Sequence, residues 1–275
     1  MICFPNAKIN LGLRIVEKRP DGYHNLETVF YPIGLKDALE CVPNTHHTDF
    51  SLTISGLGCM DQTGNPENNL TTKAFRLLES KYKLQSADVH LYKAIPTGAG
   101  LGGGSSDAAF TLKLINEMNN LRLSNNELEA LSAHLGADCS FFIKNKPIFA
   151  TGIGTIFEKI SLSLKGYYLI LVKPEIHVST ADAYSLIRPA RPESSLKDVL
   201  TNPITTWKNK VVNDFEVSVF ERFPQIKAMK EQMYLDGAIY ASMSGSGSSV
   251  FGLFSEPVDL RKSFKDCFYW SETLE

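Results

Sequence analysis

Residues 95–109 read Ile-Pro-Thr-Gly-Ala-Gly-Leu-Gly-Gly-Gly-Ser-Ser-Asp-Ala-Ala, and no other stretch constrains the fold as tightly. Five glycines (Gly98, Gly100, Gly102, Gly103, Gly104) fall within seven positions. The residues before them, 87–95, alternate apolar and polar side chains, which is the period of a strand. Behind them Ala108, Leu112, Ile115 and Met118 recur at helical spacing, with Ala109 and Leu114 flanking that face. Glycine-rich backbone is therefore expected to run from a strand into a helix N-terminus. Glycine lets main-chain N–H groups turn inward and approach a ligand closely. A helix N-terminus adds unpaired N–H groups and partial positive charge. The combination is an anion site, most often for phosphate.

Several phosphate loops can be excluded. Gly98, Gly100 and Gly103 satisfy G-x-G-x-x-G, but a dinucleotide fold needs a second strand ending in an acid about 20 residues on. A second helical pattern, residues 125–135, follows instead. No Gly-Lys-Ser/Thr follows the glycines, and neither His-Arg-Asp nor Asp-Phe-Gly occurs, which excludes a P-loop and a protein-kinase signature. A flexible linker is the plain alternative, and the patterned elements on both sides argue against it.

Composition narrows the class. With 275 residues, 43% hydrophobic and 21% charged, the chain suits one or two globular domains. A net charge of −2 makes no electrostatic case for nucleic acid or a membrane surface. Cys3, Cys41, Cys59, Cys139 and Cys267 are odd in number, scattered and without C-x-x-C, so neither a zinc site nor a disulfide framework is expected. That usage, with no basic flank and apolar run at the N-terminus, suggests a cytoplasmic location. The apolar run Tyr167–Val172 is too short to span a bilayer.

Along the chain, Ile9, Leu11, Leu13 and Ile15 predict a strand with one buried face. Arg19-Pro20-Asp21-Gly22 is a turn, and residues 27–31 pair back. Lys8 and Asn10 then share a face, which the residues alone would put in solvent on an edge strand. A strand is expected at Phe50–Ile54, and Asn69 opens a helix with Ala74, Leu77 and Leu78 inward. Ser124-x-x-Glu127 is a capping box for a helix burying Leu128, Leu131 and Leu135 and ended by Gly136. Asp138 follows, and an N-cap is its plain reading. Phe149–Thr151 is a strand, Tyr167–Lys173 a buried strand, and a short helix starts near Ala181. Residues 189–212, broken by Pro189, Pro192 and Pro203, read as a mobile excursion. Helices are expected from Asn213-Asp214-Phe215-Glu216 and from Pro224 to Gly237, then strands at 238–243 and 250–254. The intervening Ser244-Gly245-Ser246-Gly247-Ser248 is a hairpin turn or a second anion loop. A last helix, Pro257–Cys267, and a short strand, Phe268–Trp270, finish the chain.

Three of these segments together resemble the GHMP kinase superfamily. They are Pro5-Asn6-Ala7-Lys8-Ile9-Asn10-Leu11 with Asp21-Gly22-Tyr23-His24, the stretch Pro96–Ser106, and Met243-Ser244-Gly245-Ser246-Gly247. The triple glycine before Ser105-Ser106 and the Asp-Gly-Tyr-His are most similar to its 4-diphosphocytidyl-2-C-methyl-D-erythritol kinase family. The resemblance implies an α+β, two-domain fold. Residues 1–155 would form an ATP-binding domain like ribosomal protein S5 domain 2, and 156–275 a ferredoxin-like, substrate-binding domain. It implies ATP and Mg²⁺ and an acceptor carrying a cytidine diphosphate group, with no nucleic acid or membrane partner, in a monomer or weak homodimer.

Site roles follow from the same resemblance. Lys8 and Asp138 would be catalytic. Asn69, Pro96, Gly98, Gly100, Leu101, Gly102, Gly103, Gly104, Ser105 and Ser106 would hold the nucleotide, with Ser105 or Ser106 near magnesium. Asn10 would lie near the acceptor hydroxyl, Tyr23, His24 and Tyr184 around the cytosine, and Thr180, Gly245, Ser246 and Gly247 would complete the acceptor site. Tyr184 could equally be core. A homoserine or mevalonate-type kinase, or a nucleotide sensor without catalysis, are the alternatives. The base-binding Tyr23-His24 argues against the first, and Lys8 with Asp138 against the second.

Overall fold

The computed structural model describes residues 1–44, 49–57 and 66–275; Cys59 lies outside them. In chain order the strands are β1 (Ile2–Cys3), β2 (Asn6–Lys18), β3 (His24–Lys36), β4 (Ala38–Pro43), β5 (Ser51–Gly56) and β6 (Ala87–Lys93). They continue as β7 (Ile148–Thr151), β8 (Ile156–Lys159), β9 (Tyr168–Pro174), β10 (Tyr240–Met243), β11 (Val250–Phe254) and β12 (Cys267–Thr273). The helices are α1 (Leu70–Glu79), α2 (Gly103–Met118), α3 (Asn125–Ser132), α4 (Cys139–Lys144), α5 (Thr180–Tyr184), α6 (Leu196–Val199), α7 (Phe215–Arg222) and α8 (Pro224–Leu235).

Packing divides the chain into two compact units, neither of them one contiguous stretch. The first comprises Met1–Ala7, Leu35–Thr97 and Gly102–Lys146. Its sheet runs β1-β4-β6-β5, with β5 parallel to β6 and the other pairs antiparallel. β6 alternates as expected, with Ala87, Val89, Leu91 and Lys93 inward. Helix α2 packs on α1, α3, α4 and β4. The capping box at α3 is present: Ser124 accepts from the Glu127 N–H, and Glu127 accepts from the Ser124 N–H at 2.8 Å. That helix ends at Ser132, before the expected Gly136, because turn bonds from His134 and Leu135 to the carbonyls of Leu131 and Ser132 tighten the chain.

The second unit comprises Lys8–Gly34, Gly98–Leu101 and Pro147–Glu275. One sheet, β2-β3-β7-β8, is built on the expected hairpin, and the other runs β10-β11-β9-β12, all antiparallel. Numbered within the second sheet alone, that order is 4-1-3-2, the ferredoxin-like arrangement. Its central strand β9 is buried by Leu169, Ile170, Leu171 and Val172.

Three expectations are corrected in this unit. Strand β2 is buried on both faces from Asn6 to Leu13, so Lys8 and Asn10 do not face solvent. Residues 189–212 are not a loose excursion: Leu196, Leu200, Ile204, Trp207 and Val211 are buried, and Leu196 and Val211 close over Gly12 of β2. The last helix is absent. Leu260 and Phe264 have helical spacing and are buried, but only one turn forms, with Phe264 N–H on the Leu260 carbonyl, before β12 begins.

Candidate active site

In the first unit, the glycine-rich chain enters α2 with Gly102 at the N-cap, in the left-handed region at φ 71°. Gly103 and Gly104 are already helical, and Gly104 is exposed, so the first-turn N–H groups carry little side-chain cover. Ser105 is half-buried, in hydrogen-bonding reach of the Cys139 thiol, which burial pushes up to about 11. Ser106 is fully buried, and its hydroxyl has no hydrogen-bond partner among the described residues. Asp138 occupies the N-cap position of α4, but its carboxylate makes no cap hydrogen bond. A plain capping role is therefore ruled out. Asn69 does cap α1, accepting from the Thr71 N–H at 2.8 Å, and Pro96 is half-buried just before the loop.

Magnesium takes oxygen ligands and keeps several waters. Among the described residues no cluster of three His, Cys, Asp or Glu could hold a metal ion by itself. Hydroxyls at the start of α2, one of them without a protein partner, fit an ion that would draw its other ligands from phosphate and water.

In the second unit Lys8 is 3% exposed, and its ammonium donates to Asn10 Oδ1 at 2.6 Å. The Asn10 amide donates to Thr28 Oγ1 at 2.8 Å, and Thr28 donates to the Gly12 carbonyl at 2.6 Å. This chain of bonds fixes the Asn10 amide and aims its oxygen at Lys8. The Phe30 ring lies under the ammonium, 5.0 Å from its centroid. Gly98–Leu101 is tied to the same strand, since the Lys8 N–H donates to the Leu101 carbonyl at 3.0 Å.

The loop between β10 and β11 closes on this segment. Ser244 Oγ donates to the Gly100 carbonyl at 2.9 Å, and the Ser249 N–H reaches the Ala99 carbonyl. Gly100 has φ 74°, and a Cβ there would overlap the Ser244 carbonyl oxygen. Asn213 holds the loop from below, donating to the carbonyls of Met243 and Gly245, both at 2.8 Å. The segment 244–248 is thus a hairpin connection and also a wall against the first glycine loop; Gly245 and Gly247 are buried in it and Ser246 half-buried.

The aromatic residues sit apart from the lysine chain in burial. Tyr23 is 62% exposed on a turn stiffened by the Arg19–Asp21 ion pair at 2.8 Å. His24 meets Tyr184, with ring centroids 4.9 Å apart, and Tyr184 packs edge-on against Phe215 at 4.7 Å. Tyr184 therefore serves the core on one side and faces His24 on the other. Thr180 is exposed at the start of α5, behind the cap Ser179. Sequence reading missed Thr28, Asn213 as an anchor, and His177, whose Nδ1 would stand 3.1 Å from a Cβ at Gly98. Thr28 carries no sequence signal; Asn213 sits in a visible Asn-Asp-x-Glu run.

Comparison with known proteins places the chain in a family. The family model described as GHMP kinases N terminal domain matches residues 69–146, and that described as GHMP kinases C terminal matches 196–266. A Bacteroides fragilis protein named 4-diphosphocytidyl-2-C-methyl-D-erythritol kinase is 58% identical over the full length of both chains. A Parabacteroides distasonis protein of the same name is 54% identical, again over both full lengths. A crystal structure of 4-(cytidine 5'-diphospho)-2C-methyl-D-erythritol kinase superposes with a TM-score of 0.82 at 30% identity, covering 98% of each chain. A homoserine kinase from Cytophaga hutchinsonii matches at a TM-score of 0.67 and 15% identity, covering 98% of this chain and 95% of its own, a likeness of fold alone. With full-length identity of this order and both family models in place, the chain belongs to the 4-diphosphocytidyl-2-C-methyl-D-erythritol kinase family of the GHMP kinases, enzymes that phosphorylate small-molecule alcohols.

Proposed function

We propose that the chain transfers the γ-phosphoryl group of ATP to the 2-hydroxyl of 4-diphosphocytidyl-2-C-methyl-D-erythritol, in the cytoplasmic non-mevalonate route to isoprenoids. The observation that carries the reading is the buried Lys8–Asn10 pair. A lysine ammonium is costly to bury, and a strand has no structural need of one. A point charge held by an amide suits the charge that develops on a transferring phosphoryl group.

The remaining roles follow. Residues Pro96 and Gly98–Ser106 hold the ATP phosphates against the start of α2, with Asn69 toward the adenine. Ser105 or Ser106, at the start of α2, would reach magnesium, and the ion, when bound, would neutralise phosphate charge. Asn10 orients the acceptor hydroxyl. Asp138 accepts or orients its proton; a loose transition state asks little base help early. Tyr23 stacks on the cytosine, His24 bonds its edge, and Tyr184 supports His24. Thr180 and Gly245, Ser246 and Gly247 line the rest of the acceptor site. The proposed division of the sequence into 1–155 and 156–275 has the support that one family model falls in each part, at 69–146 and 196–266, while the compact units interleave the chain.

Asp138→Asn and Lys8→Met test the assignment. Each should lower kcat by about 100-fold or more while ATP affinity stays within a few fold. Wild-type turnover in either variant would remove that residue from the chemistry.

A further inference from the structure

Three charged side chains with no part in the roles above meet inside the first unit. Lys93 is the last residue of β6 and takes the inward phase after Ala87, Val89 and Leu91. Its ammonium is ion-paired with Asp37 and with Asp107, the latter at 2.6 Å. Lys93, Asp37 and Asp107 are only 5%, 1% and 2% exposed. Apolar residues of similar size are often as stable as a buried charge network, so stability alone is a weak reason for this one.

What the three groups hold is more telling. Asp37 Oδ1 accepts from the N–H groups of Ala94, at 2.6 Å, and Ile95, at 2.8 Å, the two residues before Pro96. Asp107 directly follows Ser105-Ser106 in α2. A Cβ on Gly103 would stand 3.4 Å from Lys93 Nζ, so the ammonium lies beneath the first turn of α2. The node thus grips the chain on both sides of the glycine-rich loop, at 94–95 before it and 103–107 after it. A loop this rich in glycine has little stiffness of its own and must lose much entropy to be ordered. The two carboxylates outnumber the one ammonium, so the node does not act by drawing phosphate in. Its action is geometric.

We propose that Asp37, Lys93 and Asp107 are positioning residues for the nucleotide, fixing both ends of the glycine-rich loop so that its N–H groups are preset for phosphate. The inference rests on ATP being held by that loop. Asp107 Oδ1 has no hydrogen-bond partner among the described residues, so Asp107→Asn keeps one acceptor for Lys93 while removing the charge.

The test compares Lys93→Met, Asp107→Asn and the triple variant Asp37→Asn/Lys93→Met/Asp107→Leu. Thermal midpoint, ATP affinity by calorimetry without acceptor, and the KM of both substrates are measured. Lys93→Met should weaken ATP binding and raise its KM by about tenfold or more, with the acceptor KM within about twofold. Asp107→Asn should do the same in a fully folded protein, to a smaller degree. The triple variant should recover the midpoint lost in Lys93→Met and still bind ATP about tenfold more weakly. Recovery of ATP affinity along with the midpoint, or unchanged affinity in folded Asp107→Asn and Lys93→Met, overturns the inference. Failure of the wild-type protein to bind ATP would instead overturn the nucleotide site itself.

Discussion

Gly104→Ala separates what the fold asks of the glycine-rich stretch from what a ligand asks. Gly104 lies exposed in the first turn of α2, and its φ is outside the left-handed region. A Cβ there would meet only Leu70 Cδ1, at 3.9 Å, an ordinary van der Waals distance. Neither packing nor backbone therefore requires glycine. Alanine is better than glycine in a helix by about 1 kcal/mol, partly through the unfolded chain. Near a helix end about half of that should be realised, raising the unfolding midpoint by about 1–2 °C. The methyl would stand where a phosphate oxygen is proposed to reach the backbone. Losing one hydrogen bond to a charged oxygen costs about 1.5–3 kcal/mol, or roughly 10- to 150-fold in ATP affinity. Thermal unfolding and calorimetric titration with MgATP check both halves. Unchanged ATP affinity would refute phosphate binding at this turn, and a midpoint several degrees lower would refute the reading of the local backbone.

Gly100→Ala should behave in the opposite way: the left-handed φ and the overlap with the Ser244 carbonyl should destabilise the chain by about 2 kcal/mol or more, seen as a lower midpoint before any ligand is added. Tyr23→Ala, at an exposed ring, should leave the midpoint in place and raise the KM of the cytidyl acceptor far more than that of ATP; a selective loss for ATP would mean the pockets are reversed. Burial lowers the Lys113 ammonium from 10.5 to about 8, so between those values the unfolded chain holds a proton that the folded chain has shed. Wild-type stability should gain from this group as pH rises from about 8 to 10.5, and Lys113→Met should lose that gain. Parallel stability curves for the two proteins would contradict it.

The strand, glycine loop and helix were legible because each signal is local: a period of two, a run of glycines, a period near 3.6. The α3 capping box and the strands around Tyr168–Pro174 were legible for the same reason. The burial of β2 was not, because part of its cover comes from Leu196 and Val211, almost 200 residues along, in a segment whose prolines suggested looseness. The spacing of Leu260 and Phe264 fits one turn as well as a helix, and only packing against the sheet distinguishes them. Asp107, directly after Ser105-Ser106, is a negative charge next to the proposed phosphate site. Its explanation is Lys93, a charged residue at the inward phase of β6, a signal present in the alternation and visible once Asp37 completes the group. Burial pushes the Asp107 carboxyl above the usual carboxylate range, and the Lys93 ammonium opposes that shift.

The most direct test of the proposed activity is an ADP-release assay with MgATP and three acceptors: 4-diphosphocytidyl-2-C-methyl-D-erythritol, homoserine and mevalonate. Turnover with the cytidyl acceptor alone is the predicted result, and it would support both the phosphoryl transfer and the base site at Tyr23 and His24. Turnover with homoserine or mevalonate instead would contradict the base site, and ATP binding without turnover on any acceptor would contradict the kinase reading.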